Sequence, residues 1–471
     1  MLGLPKTITT IPTSLALTCA SVAVLAGPAP ASGPGFVRHE ALVRFEGRSA
    51  EHSVELPAGV GVGEAVRALE RNPEVAYAAP NQIAHVSAKP PGPGSSAPFI
   101  PNDPGTAGAS GGWQQMQWNF LPCGSTCGEP PAAPNLESPG GINAPGAWQN
   151  LIAAGRPGGK GVTVAVVDTG IAYRDLGQSY KRSPDFDANQ FVTGRDFVEH
   201  DDVALDENGH GTHVAGTIAE QTHNERALSG LAYGARIMPV RVLNARGEGT
   251  ARNVARGIRW ASDHGAQVIN LSLEFCLYAC KPSAQVLGCE DVPGVCEAID
   301  AAQARGAIVI ASAGNEGATE VAFPGRHAIA VGATTEHGCL AEYANHGEGL
   351  DLVAPGGGAD GPVPGAQCTP YIGGRTIYQL TLVKPGKHGS YRRFGYPSYE
   401  GCSMASAHVS AAAALVWAQL AAKLGHDPTP AQVEARLEST ARKDGILADQ
   451  SLYGAGLLDA AAATAPSSPA P

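Results

Sequence analysis

Three short stretches of this 471-residue chain hold side chains that could act together on one bond. Residues 162–170 read V-T-V-A-V-V-D-T-G, an apolar run ending at Asp168. Residues 208–216 read N-G-H-G-T-H-V-A-G, with His210 among small residues. Residues 401–409 read G-C-S-M-A-S-A-H-V, with Ser403. A serine hydroxyl is a weak nucleophile at neutral pH. It attacks a carbonyl only when an imidazole takes its proton and a buried carboxylate holds that imidazole in the right tautomer. An Asp, a His and a Ser, each beside glycine or other small residues, supply those three parts. Their chain order is one of the few in which the constellation occurs.

Each stretch alone has a purely structural reading. Many parallel strands end in Asp. His210 and His213, at i and i+3, are spaced for a shared zinc ion, but no Glu or Cys accompanies them at metal-site spacing. Ser403 would serve as a helix N-cap, a position a nucleophile can also occupy. A fourth stretch, residues 307–317, reads A-I-V-I-A-S-A-G-N-E-G. It is a buried strand followed by small residues and Asn315. In isolation Asn-Glu-Gly is an ordinary turn.

Together the four stretches resemble the subtilisin-like serine proteases (subtilases). The resemblance extends over residues 36–88 and 101–463, and Y-G-A-G-L-L-D-A at 453–460 matches the family's closing motif. It implies that Ser403 is the nucleophile, His210 the general base and then acid, and Asp168 the orienting carboxylate. Asn315 would donate its side-chain N–H to the oxyanion of the tetrahedral intermediate. Losing such a donor costs roughly 3 kcal/mol of transition-state stabilisation in subtilisin itself. The resemblance also implies that an extended peptide adds as a strand between two edge segments. Here these would be residues 247–250, with Gly247, Glu248 and Gly249, and residues 272–274. The primary pocket would be lined by Ser272, Leu273, Ala313, Gly314 and Ala322.

The chain departs from the family in three places. Glu274 stands where glycine is usual. A carboxylate there favours Lys or Arg before the scissile bond if it points inward, and is irrelevant if the following insertion turns it outward. Ala407 stands where proline usually precedes the motif His, and alanine continues a helix that proline would interrupt. Cys402 stands where threonine is usual.

The elements that must position these residues follow from the pattern. Short apolar strands alternate with helical stretches from residue 161 onward. That alternation predicts an α/β fold, a parallel sheet with helices on both faces, and catalytic groups at strand carboxyl ends. G-I-N-A-P-G-A-W-Q at 141–149 resembles the family's first helix. Residues 36–88 read as strand, amphipathic helix with Val62, Val66 and Leu69 on one face, then strands. This small α+β unit resembles the subtilase pro-domain, which assists folding and inhibits the enzyme. Residues 89–112, rich in Pro, Gly and Ser, read as linker and processing region. The catalytic domain is expected over 113–463 and a disordered tail over 464–471.

Residues 1–31 read as a signal peptide: Lys6, an apolar stretch from Ser14 to Ala26, and the small residues Ala29-Pro30-Ala31. No later run reaches about 18 apolar residues, so no membrane contact is expected after its removal. Export permits disulfides. Nine cysteines then remain, so at least one thiol stays free, with Cys402 the expected one. Cys276, Cys280, Cys289 and Cys296 crowd one insertion with open connectivity, and Cys339 with Cys368 would close a long loop. With 60 Gly and 37 Pro the chain is rich in loops. Its net charge of −11 argues against a nucleic-acid partner, and none is expected.

No cofactor is expected for catalysis. D-F-V-E-H-D-D at 196–202 resembles a calcium loop of thermitase-like members, with Asp196 and Asp201 as ligands. Asp175 and Asn224 stand near a second family site. The resulting expectation is a secreted, self-processing, monomeric serine endopeptidase acting on polypeptides, with its own pro-domain as inhibitor. Two alternatives are a catalytically inactive subtilase-fold binding module and an esterase or transpeptidase.

Overall fold

The computed structural model describes residues 36–46, 51–56, 59–82, 99–124, 136–275, 287–363, 368–383 and 390–466. The expected signal segment, the first part of the expected linker, Cys127, Cys276, Cys280 and the last residues of the expected tail lie outside them. The contacts divide the chain into two compact units, Met1–Ser87 and Ala88–Pro471.

In the first unit, strands β1 (Phe36–Phe45) and β2 (Glu51–Glu55), helix α1 (Val62–Leu69) and strand β3 (Val75–Gln82) follow in sequence. The strands form an antiparallel sheet in the order β2-β1-β3. Val62 and Ala65 are buried with Ala41 and Leu56, and Val66 and Leu69 pack on the same side. The 3.6-residue spacing thus places one apolar stripe of α1 on the sheet.

In the second unit the elements are α2 (Ala144–Ala153), β4 (Thr163–Asp168), β5 (Arg195–Asp196), α3 (His210–Ala219), β6 (Arg236–Arg241), α4 (Ala251–Asp263), β7 (Val268–Leu271), α5 (Pro293–Ala304), β8 (Ile308–Ser312), β9 (Ile329–Thr334) and β10 (Leu352–Pro355). Two short hairpin pairs follow, β11 (Ile377–Tyr378) with β14 (Ser398–Tyr399) and β12 (Thr381–Leu382) with β13 (Phe394–Gly395), and then α6 (Cys402–Leu424). Seven strands form one parallel sheet, β10-β9-β8-β7-β4-β6-β5. Side chains alternate across it. Val164, Val166 and Ile310 enter a core shared with α2, α3 and α6. Ala165, Val167 and Val309 enter another shared with α4 and α5. Burial on both faces explains why the strands read as continuous apolar runs.

Helix α6 is long and apolar enough by length and composition to cross a membrane, which the run-length reading did not foresee. However, 94% of its apolar window is buried inside the fold, so it is a core helix. Ala407 lies within it and the helix runs unbroken for 23 residues.

The expected linker is corrected at its far end, because residues 99–112 belong to the larger unit. Phe99 is buried edge-on against Trp148, with ring centroids 6.1 Å apart. Asp103 accepts the backbone N–H groups of His223 and Asn224 at 2.9 and 3.0 Å. Trp113 Nε1 donates to Pro101 O at 3.1 Å. The Pro/Gly-rich composition marked the absence of regular elements, not the absence of packing. At the other end, Ala463 and Thr464 are buried, so the unit reaches past 463.

Disulfides join Cys289 to Cys296 and Cys339 to Cys368, and Cys123 is oxidised as well. Cys402 is free and buried.

Candidate active site

Asp168 is the last residue of β4, at the carboxyl end of the sheet, and is fully buried. Its neighbour Thr169 donates its backbone N–H to Asp168 Oδ1 at 2.7 Å. His210 is the first residue of α3 and donates from Nδ1 to Asp168 Oδ1 at 2.8 Å and Oδ2 at 3.0 Å. The imidazole is a quarter exposed, so its other nitrogen can meet a substrate-bound group. Burial disfavours the charged ring, but the Asp168 carboxylate outweighs it and the His210 pKa is raised. That suits a base that must briefly hold a proton.

The sequence at this turn is chosen for close approach. A Cβ on Gly211 would stand 2.2 Å from Gly170 O and 3.1 Å from Asp168 Oδ1. Only glycine lets α3 start against the end of β4. Asp206 completes the turn. It is buried and accepts from the backbone N–H groups of Asn208, Gly209 and Thr212 at 2.8, 2.9 and 3.0 Å, and from Thr212 Oγ1 at 2.6 Å. It satisfies the orphan donors at the start of α3. Sequence reading missed it, although Asp three residues before Gly209 is a capping signal.

Ser403 is the second residue of α6. Its hydroxyl donates to Ser272 O at 3.3 Å, a long contact that can be exchanged for His210 when substrate arrives. The turn before it is held on two sides. Gly401, at φ 147°, donates its N–H to Tyr343 Oη at 2.9 Å, and Cys402 donates its N–H to Asn315 Oδ1 at 2.8 Å. The second bond holds the Asn315 side chain through its Oδ1 beside the start of the helix. The Ser403 N–H belongs to the first turn, where helical partners are lacking. Two donors for one developing oxyanion are thus available at a helix N-terminus, where negative charge is favoured.

His210, Ser403, Gly247, Glu248, Gly249, Ser272, Leu273 and Glu274 line one cleft of about 610 Å³. Ala313, Gly314 and Ala322, expected in the primary pocket, are not among the residues lining it; Ala322 N donates to Ala313 O at 2.7 Å. Phe275, not anticipated, lines the cleft as well. Ser272 also clamps α6: its Oγ lies 2.8 Å from Ser403 O and 2.9 Å from Ser406 Oγ.

The zinc reading of His210 with His213 is excluded by orientation. His213 Nε2 meets Ile377 O at 3.0 Å, and its ring stacks on Tyr399 at 4.5 Å. Burial lowers its pKa to about 3, so it stays neutral.

At the expected calcium loop both carboxylates already have partners. Asp196 Oδ1 accepts the N–H groups of Val198 and Glu199, and Oδ2 pairs with Arg241 at 3.0 Å. The guanidinium supplies the positive charge there. Asp201 is exposed and bonds Val203 N at 2.8 Å. Asp175 pairs with Lys181 on the surface, not with Asn224. Asn224 Nδ2 instead donates to Asp185 Oδ1 at 2.7 Å, and its backbone N–H goes to Asp103. Asp103, Asp185 and Glu220 are buried and form no salt bridge among the described residues. Burial, together with neighbouring carboxylates, raises Asp185 to about 7 and Glu220 well above its ordinary value.

A protein-family model described as the subtilase family matches residues 159–456. The chain belongs to the subtilase family. Subtilisin Savinase of Lederbergia lenta is 35% identical over 310 residues, covering 65% of this chain and 91% of that protein. Thermitase of Thermoactinomyces vulgaris is 33% identical over 304 residues, covering 64% and 86%. A solved protease of Pseudoalteromonas arctica PAMC 21717 superimposes with a TM-score of 0.56 at 26% identity, covering 78% of this chain and 99% of that one. This subtilase is a serine endopeptidase, and its substrates are polypeptides.

Proposed function

We propose that this subtilase cleaves peptide bonds through Ser403, His210 and Asp168, and that it is exported as a self-processing zymogen. The observation that carries the reading is the Asp168–His210 contact, two hydrogen bonds of 2.8 and 3.0 Å, opening onto the cleft that holds Ser403. A bound peptide lies extended between residues 247–249 and 272–274. His210 Nε2 takes the Ser403 proton as Oγ attacks the carbonyl carbon. Asp168 stabilises the imidazolium, and Asn315 Nδ2 with the Ser403 N–H stabilises the oxyanion. The proton passes to the leaving amine, an acyl-enzyme remains, and water activated by His210 hydrolyses it.

The first unit is the inhibitor and folding aid of the second. It is removed during maturation, and the secreted enzyme is a monomer with no nucleic-acid partner. A structural Ca²⁺ would fit beside Asp103, Asp185 and Asn224, where two buried carboxylates both bond Asn224 and neither forms a salt bridge among the described residues. The chemistry needs no metal group.

The test is a casein zymogram of secreted protein with and without a serine-directed inhibitor. A clearing band abolished by the inhibitor is expected. Clearing that survives it, or is lost only with a chelator of catalytic zinc, refutes the serine mechanism.

A further inference from the structure

Strands β11 and β14 pair Ile377 with Tyr399 and Tyr378 with Ser398, and β12 and β13 pair Thr381 with Gly395 and Leu382 with Phe394. Together they form one antiparallel hairpin, whose described residues supply no lining to the cleft. It nevertheless touches the segments that bring the three catalytic groups there. Thr381 is fully buried, and its Oγ1 donates to Gly209 O, the carbonyl before His210, at 2.6 Å. His213, on the first turn of α3, donates from Nε2 to Ile377 O at 3.0 Å. The approach is close: a Cβ on Gly209 would stand 3.1 Å from Leu382 O and 3.3 Å from Tyr399 Oη. The Tyr399 ring lies nearly parallel to both imidazoles, 4.5 Å from that of His213 and 6.4 Å from that of His210. β14 then runs directly into Gly401 and Ser403. At the outer end, Tyr391 N donates to Ser179 O at 2.7 Å, Lys181 N donates to Tyr391 O at 3.1 Å, and the Tyr391 and Tyr180 rings stack at 5.0 Å. Ser179, Tyr180 and Lys181 belong to the loop that follows Asp168, and Tyr180 Oη bonds Glu207, three residues before His210.

Gly209 O already accepts a helical hydrogen bond from His213 N at 3.1 Å, so it is not orphaned without Thr381. The threonine hydroxyl adds direction instead. It ties the N-cap carbonyl to β12, so the first turn of α3 cannot drift without pulling on the hairpin. The Ser403 hydroxyl donates to Ser272 O rather than to His210, so the placement of base against nucleophile comes from the backbones that carry them. The hairpin is joined to both of those backbones. We propose that it is a brace that sets His210 against Ser403, with Thr381 as a positioning residue of the base. The proposal rests on the triad reading above and adds to it a residue that acts on His210 without touching substrate.

Such a brace has a signature in the titration of the base. The groups facing His210 are Asp168 at the end of β4, Asp206 in the turn before α3, His213 on α3 and Tyr399 on β14. Burial pulls the His210 pKa down, and the Asp168 carboxylate, with Asp206 behind it, more than reverses this. A first turn that drifts from β4 loosens the Asp168 contact, and the His210 pKa falls. The base is active when deprotonated, so the acid limb of kcat/KM then moves to lower pH.

The experiment compares mature wild type with Thr381→Val, which keeps the shape and loses the hydroxyl, and Thr381→Ser, which keeps the hydroxyl. Peptide-anilide hydrolysis is followed across the acid limb and normalised to active sites titrated with a serine-directed inhibitor. Thr381→Val should lose about tenfold in kcat, a fraction of the roughly 10²-fold that a 1 Å misplacement costs, with KM unchanged and the acid limb moved to lower pH. Thr381→Ser should recover both kcat and the limb. A Thr381→Val enzyme with wild-type kcat and limb overturns the proposal, and so does a Thr381→Ser enzyme as slow as Thr381→Val. A loss confined to the number of titratable sites, with kcat per site intact, marks a purely structural contact and overturns it as well. A wild type that cleaves the anilide but is untouched by the serine-directed inhibitor is instead a failure of the triad reading.

Discussion

Substituting Gly211 by alanine tests whether the close start of α3 is what aligns the base. The added Cβ would lie 2.2 Å from Gly170 O, and real Cβ atoms do not approach within 3.0 Å. Backbone lies on both sides of the clash, so relief requires a shift of about 0.8 Å, taken by α3 or by the Thr169–Gly170 turn. Either movement separates His210 from Asp168. Lengthening the 2.8 Å bond by that amount leaves about 3.6 Å, beyond hydrogen-bonding distance. Misplacing a catalytic group by about 1 Å costs on the order of 10²-fold, and losing the carboxylate's help entirely costs about 3 × 10⁴ in subtilisin. The expected fall in kcat for Gly211→Ala therefore lies between these values, with little change in KM. The assay is peptide-anilide hydrolysis normalised by titrating active sites with a serine-directed inhibitor, alongside circular dichroism. Gly294→Ala is the control: this exposed glycine on α5 would place its Cβ in open space, so activity should be unchanged and stability slightly higher. A folded Gly211→Ala enzyme with wild-type kcat would refute the reasoning, and so would an equal loss in the control.

Four further outcomes are expected. Ser403→Ala should lose turnover by about 10⁶, the subtilisin magnitude, and should accumulate as uncut precursor on denaturing gels. N-terminal sequencing should place the mature start between residues 85 and 98, because Phe99 and Asp103 are already packed into the larger unit; a start beyond 103 would contradict that. Chelation should lower the melting temperature of wild type, Ca²⁺ should restore it, and Asp185→Asn should abolish the difference, whereas Asp201→Asn should retain it. The buried Cys402 thiol should ignore a thiol reagent in the folded enzyme and titrate as one equivalent after denaturation.

Much of the site was legible because its residues sit where sequence pattern and chemistry coincide. Asp168 ends a run of apolar residues that only a strand buried on both faces carries. Gly211 follows His210 because the backbone there has no room for a side chain, and Gly209 precedes it at a φ of 109° that favours glycine. What stayed hidden were contacts between distant segments. Nothing local to Asp196 reveals Arg241, which lies 45 residues away and occupies its carboxylate. The Pro- and Gly-rich stretch near Phe99 concealed a packed strap, since composition reports the lack of helix and strand but not of burial. Likewise the support of Gly401 by Tyr343 joins residues 58 apart.

Helix α6 carries Ser403 on its first turn and then runs through the middle of the larger core. Its residues pack against β7, β8, β9 and β10 and against α3. Ser403 therefore has no defined position until those strands are assembled around the rod behind it. If the chain is exported as proposed, a half-folded form would carry the serine but no cleft, and so would be harmless to the exporting machinery. Cutting ability arrives with the last of the core packing and disappears with its first loosening.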